Sequence, residues 1–155
     1  MSVLTGLLTA CSGFLLAVLW MDLIFDSQVR SARRREQLTE ATLASIAGYY
    51  HRATTTSQPM GRLIAAVMVV LLAALLGQGL FGASPGWLLT VSAALAGGPI
   101  LLALTRTVPN AVRLGQRSGT AVDQTRLARM IYRDHIVCAV SLLAFLVLWL
   151  GWPHR

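Results

Sequence analysis

The chain has no lysine, only two cysteines, and six acidic residues against thirteen basic ones, all of them arginine. Charged side chains make up 12% of the residues, where a soluble domain carries about 25%. That shortage argues against a soluble globular domain. It also excludes intrinsic disorder, which needs high charge and little apolar side chain. Nucleic-acid motifs are missing as well. No zinc-finger spacing and no basic stripe interleaved with aromatics accompanies the net charge of +7. The cysteines, Cys11 and Cys138, fall at different depths of two apolar stretches. A bridge needs Cα atoms within about 7 Å, so no disulfide is expected.

What is present is hydrophobicity, at 55% of 155 residues, enough for one domain. A bilayer core about 30 Å thick needs roughly 20 apolar residues in a helix. Four stretches meet or approach that length: about 3–25, 63–81, 87–104 and 136–152. The fourth is short but extends toward Tyr132. The expected fold is all-α, a four-transmembrane-helix antiparallel up-and-down bundle with cytoplasmic helical extensions, spanning 1–155 as one domain. The start resembles a signal peptide, and Leu8 to Cys11 faintly resembles a lipoprotein cleavage box. A signal needs a basic n-region, and no basic residue precedes Arg30, so a retained first span is expected.

Twelve of the thirteen arginines lie between spans one and two or between spans three and four. They are Arg30, Arg33, Arg34, Arg35, Arg52 and Arg62, then Arg106, Arg113, Arg117, Arg126, Arg129 and Arg133. The positive-inside rule puts both segments in the cytoplasm and both termini outside. The expected location is the inner (plasma) membrane, multi-pass, with arginines facing anionic headgroups. The lipid bilayer is thus the first partner. A lipophilic small molecule, a membrane-protein partner and a second copy of the chain all stay open, and nucleic acid is excluded.

Local signals refine this layout. The short turn around Gly82, Ser84, Pro85 and Gly86 makes spans two and three a hairpin. From Ser27 to about Arg52 the chain reads as helix, with an apolar stripe at Leu43, Ile46 and Tyr50. The run from Thr54 to Pro59 breaks it. Pro109 reads as a second breaker, and Gly115 to Gly119 as a loop. Thr120 and Asp123 have the spacing of a capping box, opening a helix of roughly 30 residues. The four tryptophans, Trp20, Trp87, Trp149 and Trp152, sit near span ends as an aromatic belt.

Polar groups inside spans are costly and usually functional. Here they gather at one end: Asp22 and Asp26, one turn apart; Tyr49, Tyr50, His51 and Arg52; Arg106, Asn110 and Arg113; and Arg129, Tyr132, Asp134 and His135. Asp22 needs a partner or must lose its charge. Arg106, Arg129 and His135 are candidates, and an interhelical ion pair, a substrate or proton site and a wetted interfacial carboxylate all stay open. His135 can serve as a base or as a packed histidine bonded to Asp22 or Asn110. His51 joined to His135 and an aspartate would make a metal triad. No ligand spacing such as His-Glu-x-x-His supports one, so no metal and no cofactor is assigned. Pro109 frees a carbonyl near Thr105, and Asn110 carries donors and an acceptor, so the pair is either a ligand site or a helix stop.

The stretch Thr107-Val-Pro-Asn-Ala-Val-Arg-Leu114, followed by the run from Arg129 through Tyr132 and His135 to Phe145, resembles the anthrone-oxygenase-like family. These are small four-helix membrane proteins, mostly of unknown function. The resemblance covers most of the chain in layout and two short motifs in residues. It implies a histidine and an asparagine of chemical importance, which map to His135 and Asn110. Three departures stand out. Asn110 directly follows Pro109, where a spacer is usual. Ile131, with Tyr132 beside it, replaces a tryptophan. Cys138 replaces an arginine, so that arginine's role does not carry over unless Arg129 or Arg133 supplies it. Fungal members oxidise polycyclic anthrones with oxygen and no recognised cofactor.

Two functions therefore compete. In one, the protein binds or oxidises a lipophilic aromatic or quinone-like molecule at the cytoplasmic end of the bundle. His135, Asn110 and Tyr132 would be catalytic, and Asp22, Asp26, His51, Arg106 and Arg129 would bind substrate or form ion pairs. In the other, it is a non-catalytic subunit or assembly factor of a larger membrane complex. Whether it is an enzyme stays open. A small transporter fits less well, because no inverted repeat or broken helix pair is present.

Overall fold

The computed structural model describes residues 3–32, 37–82 and 84–152. Arg33, Arg34, Arg35 and Arg155, part of the arginine distribution above, lie outside them. The elements are α1 (Val3–Asp26), a 3₁₀ turn (Ser27–Ala32), α2 (Glu40–Thr55), α3 (Gln58–Phe81), α4 (Gly86–Leu102), a π-helical turn (Ala103–Thr107), α5 (Val108–Gly115) and α6 (Ala121–Gly151). Among the described residues there is no strand.

Four helical stretches are long and apolar enough to cross a membrane: Val3–Arg30, Gln58–Phe81, Gly86–Gly115 and Ala121–Gly151. Their outward faces carry large apolar side chains such as Val69, Leu76, Leu80, Leu101, Val140 and Val147. Water would penalise so much exposed hydrocarbon, whereas lipid tails match it. The chain is a multi-pass membrane protein of all-α, four-helix-bundle fold.

Helix α1 packs chiefly on α6 and α3, and α4 packs on α6 and α3. Along α4 and α6, contacts run in opposite order. Trp87 meets Trp152 with ring centroids 5.3 Å apart. The Trp149 indole N–H donates to the Ser92 hydroxyl at 2.9 Å. The Cys138 thiol donates to the Pro99 carbonyl at 3.8 Å. Cys11 and Cys138 are both free and buried. One apolar core gathers Leu8, Leu15, Leu71, Leu88, Leu142, Phe145 and Trp149. A second gathers Val29, Leu38, Leu43, Ile46, Tyr50, Leu114, Leu127 and Ile131 around α2 and α5.

Several details differ from the sequence reading. The expected helix from Ser27 to about Arg52 is two pieces. After the 3₁₀ turn, α2 starts afresh behind Thr39, whose hydroxyl accepts from the Thr42 N–H at 3.3 Å. Pro109 does not stop its helix. A proline cannot donate to the carbonyl four residues back, and its ring crowds it. The chain responds by widening for one turn, so the Val108 N–H reaches the Ala103 carbonyl five residues back, and α5 continues in line. Such π turns often mark functional places. Trp149 is no belt residue: it is fully buried, while Trp20 and Trp87 are exposed.

The capping box at the start of α6 is present. The Thr120 hydroxyl accepts from the Asp123 N–H at 3.2 Å, and Asp123 Oδ2 accepts from the Thr120 N–H at 3.0 Å. Replacing Thr120 by alanine leaves one N-terminal donor without its partner. A loss of about 1 kcal/mol in stability is expected in chemical denaturation. A change under a quarter of that would show that the box is redundant with packing. The preceding loop turns through positive φ at Arg117 and Gly119. Gly115 has a different constraint. A Cβ there would lie 2.8 Å from the backbone nitrogen of His51, so α5 and α2 touch backbone to backbone.

Candidate functional site

The polar cluster forms between the two apolar cores, where α1, α2 and α6 meet. On α1, the one-turn spacing puts Asp22 and Asp26 on the same face. On α2, the buried stripe of Leu43, Ile46, Ala47 and Tyr50 turns the end of that helix toward α1. On α6, Ile131, Asp134, His135 and Cys138 are buried, so the 3- and 4-residue spacing aims His135 inward.

Asp26 is the centre. It is fully buried, and each oxygen has its own partner. The Tyr50 hydroxyl donates to Oδ1 at 2.7 Å, and His135 Nδ1 lies 2.7 Å from Oδ2. A carboxylate only accepts, so it orients Nδ1 as the donor. The other ring nitrogen, Nε2, faces Asp22 Oδ2 across 3.9 Å. That is an ion-pair distance and too long for a hydrogen bond. The Tyr49 hydroxyl donates to Asp22 Oδ1 at 2.5 Å, and its ring stacks on Phe25 at 4.1 Å. The result is a chain of five groups: Tyr49, Asp22, His135, Asp26 and Tyr50. The Asp22 side chain is 18% exposed and Asp26 is 0% exposed, so Asp22 is the accessible end.

Both tyrosines keep their protons. Burial pushes the hydroxyl of Tyr49 well above the ordinary tyrosine value, with the hydrogen bond to Asp22 adding to it. Burial does the same at Tyr50, followed by the charge of Asp26. Each tyrosine is therefore a fixed donor to a carboxylate.

A second pairing lies one residue away. Arg106, on the π turn, is held by Asp134 through Nε at 3.2 Å. The Thr107 hydroxyl lies 3.3 Å from Asp134 Oδ2 and 3.4 Å from the Leu102 carbonyl, and shares its proton between them. The widened turn thus places Arg106 and Thr107 together against α6.

Asp22, Asp26 and His135 come together as the sequence suggested. Of the partners considered for Asp22, His135 faces it, and Arg106 pairs with Asp134 instead. His135 bonds Asp26, not Asn110. Asn110 is half-buried on α5 and Tyr132 half-buried on α6, and no hydrogen bond joins either to His135 among the described residues. His51 is exposed on α2, beside Gly115 and Arg117. Among the described residues, no three His, Cys, Asp or Glu side chains are grouped to hold a metal. Arg129 lines a groove on the outer side of α6 with Arg106, Arg126 and Arg133. Tyr49, Tyr50 and Asp134 were visible as neighbours of the constellation, but nothing in their spacing identified which carboxylate or cation each would meet. No protein-family model, no curated protein and no solved structure matches the chain.

Proposed function

We propose that this membrane protein binds a lipophilic aromatic bearing a hydroxyl, such as a phenol or quinol, at the gap between Asp22 and His135, and moves its proton there. One observation carries the reading. His135 is oriented through Nδ1 by a fully buried carboxylate, while Nε2 has no direct hydrogen bond to Asp22 across 3.9 Å. A base held by a carboxylate on one nitrogen and open on the other is the arrangement general-base chemistry needs. A ligand oxygen bridging that 3.9 Å gap would lie about 2.8 Å from both Nε2 and Oδ2. Removing a phenolic proton enriches the ring in electrons, which suits the oxidation by oxygen that the anthrone-oxygenase-like resemblance implies. In this reading the protein sits in the inner membrane, with its arginine-rich segments in the cytoplasm and both termini outside.

A second reading has its own support. Both carboxylates, both tyrosine hydroxyls and the imidazole pair with one another, so the cluster also serves as an interhelical lock. That is what a non-catalytic subunit or assembly factor would carry.

The test is copurification from the native membrane, with mass spectrometry of lipophilic molecules and proteins together. The expected result is a bound hydroxylated aromatic in the wild type that is lost in His135→Ala and in Asp22→Asn. Asp22→Asn leaves Asp26 and its partners in place, so it guards against misfolding as the cause. A stoichiometric protein partner with no aromatic ligand would overturn the ligand site and leave the lock.

A further inference from the structure

The two sides of the gap between His135 and Asp22 are both acceptors. His135 Nδ1 lies 2.7 Å from Asp26 Oδ2. A carboxylate has no proton to give, so the one proton of a neutral imidazole sits on Nδ1 and Nε2 keeps its lone pair. Across the gap, Asp22 Oδ1 takes the Tyr49 hydroxyl proton at 2.5 Å, and Oδ2 faces Nε2 at 3.9 Å. Neither can donate to the other.

A single hydroxyl does not serve both. It has one proton, so it donates to one acceptor and turns an oxygen lone pair toward the other. His135 is 7% exposed, and a buried acceptor left without a donor costs the desolvation of that group. The molecule that satisfies the gap brings two donors side by side. Hydroxyls on adjacent carbons of one aromatic ring do this. They are spaced more closely than 3.9 Å and project from the same edge, so one reaches Nε2 and the other Oδ2. Hydroxyls at opposite ends of a ring are too far apart, and only one of them enters.

The surroundings favour a neutral aromatic over a cation with two donors, such as an ammonium. Asp22 lies inside the apolar stretch Val3–Arg30, where a charge is costly to bring through hydrocarbon. Beside it the Phe25 and Tyr49 rings stack at 4.1 Å, and Tyr50 meets Tyr49 edge-on at 5.2 Å. These rings supply aromatic contact next to the acceptors.

Given the ligand site proposed above, we infer that its ligand is a lipophilic catechol, with one hydroxyl donating to His135 Nε2 and its neighbour donating to Asp22 Oδ2. The first hydroxyl is the one whose proton passes to Nε2, its electron pair staying on the ring oxygen, and Asp26 holds the imidazolium that results. The second fixes the orientation of the ring.

Binding is measured under argon by isothermal titration calorimetry of the protein in micelles. The probes are tert-butylcatechol, its isomer tert-butylhydroquinone, its monomethyl ether and tert-butylbenzylamine. The two isomers partition alike into the micelle, so their difference reports the site. The catechol is expected to bind roughly tenfold to a hundredfold tighter than the hydroquinone or the ether, the worth of one more hydrogen bond to a charged acceptor. Asp22→Asn leaves Asp26 and its partners in place and is expected to cut that preference roughly fivefold, because a neutral amide accepts less strongly. Equal affinities for catechol, hydroquinone and ether, all lost in His135→Ala, would overturn the two-donor assignment and leave a site for a single hydroxyl. A preference undiminished in Asp22→Asn would put the second donor elsewhere and overturn the assignment as well. Tighter binding of the benzylamine would overturn the catechol in favour of a cation. Binding of none of the four would overturn the ligand site itself.

Discussion

Replacing Asp26 by alanine is expected to cost about 3–5 kcal/mol, the range for breaking a buried charged pair by removing one partner. The reason is local. Asp26 is fully buried and accepts from Tyr50 at 2.7 Å and pairs with His135 at 2.7 Å. Without it, a tyrosine hydroxyl and a ring nitrogen stay inside the bundle with no acceptor, and no water replaces it cheaply at that depth. Asp26→Asn keeps the shape and one acceptor oxygen, so a loss of about 1–3 kcal/mol is expected. The measurement is reversible unfolding in mixed micelles, followed by circular dichroism. A double-mutant cycle with Tyr50→Phe isolates the pair. If Asp26→Ala costs under 1 kcal/mol, or the cycle shows no coupling, the cluster is not what joins α1, α2 and α6. The two readings of function then separate further. A lock predicts that activity or ligand retention follows stability through this series, whereas a proton site predicts that Asp22→Asn abolishes retention with little change in stability.

Trp149→Ala is expected to cost about 3–5 kcal/mol. Trp149 and Phe145 are both fully buried, with ring centroids 6.2 Å apart, in the core shared by α1, α3, α4 and α6. In a bilayer the unfolded helices stay in hydrocarbon, so the transfer part of the loss shrinks. What remains is the vacated volume and the packing contacts around it, which a Trp→Ala change maximises. Trp149→Phe keeps most of the ring and loses the bond to Ser92. About 1 kcal/mol is expected there, in line with interhelical hydrogen bonds in membranes. Unfolding in the same micelles, read by the remaining tryptophans, checks both. Equal effects from the two substitutions would mean that the hydrogen bond, and not ring volume, holds α4 to α6.

The contrast between Trp149 and Trp20 shows where reading by composition stops. Both lie near the end of an apolar stretch, and both look like interfacial anchors. Trp149 turns inward because Phe145 and Leu142 share its helix face and Ser92 offers an acceptor across the interface. Trp20 is 69% exposed on α1. Position along a helix is written in the sequence, but the direction of that face depends on which neighbour covers it. The same limit applied to Arg106. Its proximity to the membrane end was plain, and it was a candidate partner for Asp22, yet it pairs with Asp134. The π turn before Pro109 places Arg106 and Thr107 against α6.

The sequence by itself determined the four apolar helices, the capping box at Thr120 and Asp123, and the gathering of polar residues at one end. Those follow from local rules: span length, cap geometry and helical periodicity act over a few residues. It also put Asp22, Asp26 and His135 in one neighbourhood, because residues at the same end of a bundle have few other places to go. Only the tertiary structure decided the pairing within that neighbourhood: Asp26 with His135 and Tyr50, Asp22 with Tyr49, and Arg106 with Asp134. Those choices depend on helix rotation and on a one-turn widening at a proline. A rotation of one residue changes which carboxylate meets which donor, and no local pattern encodes it.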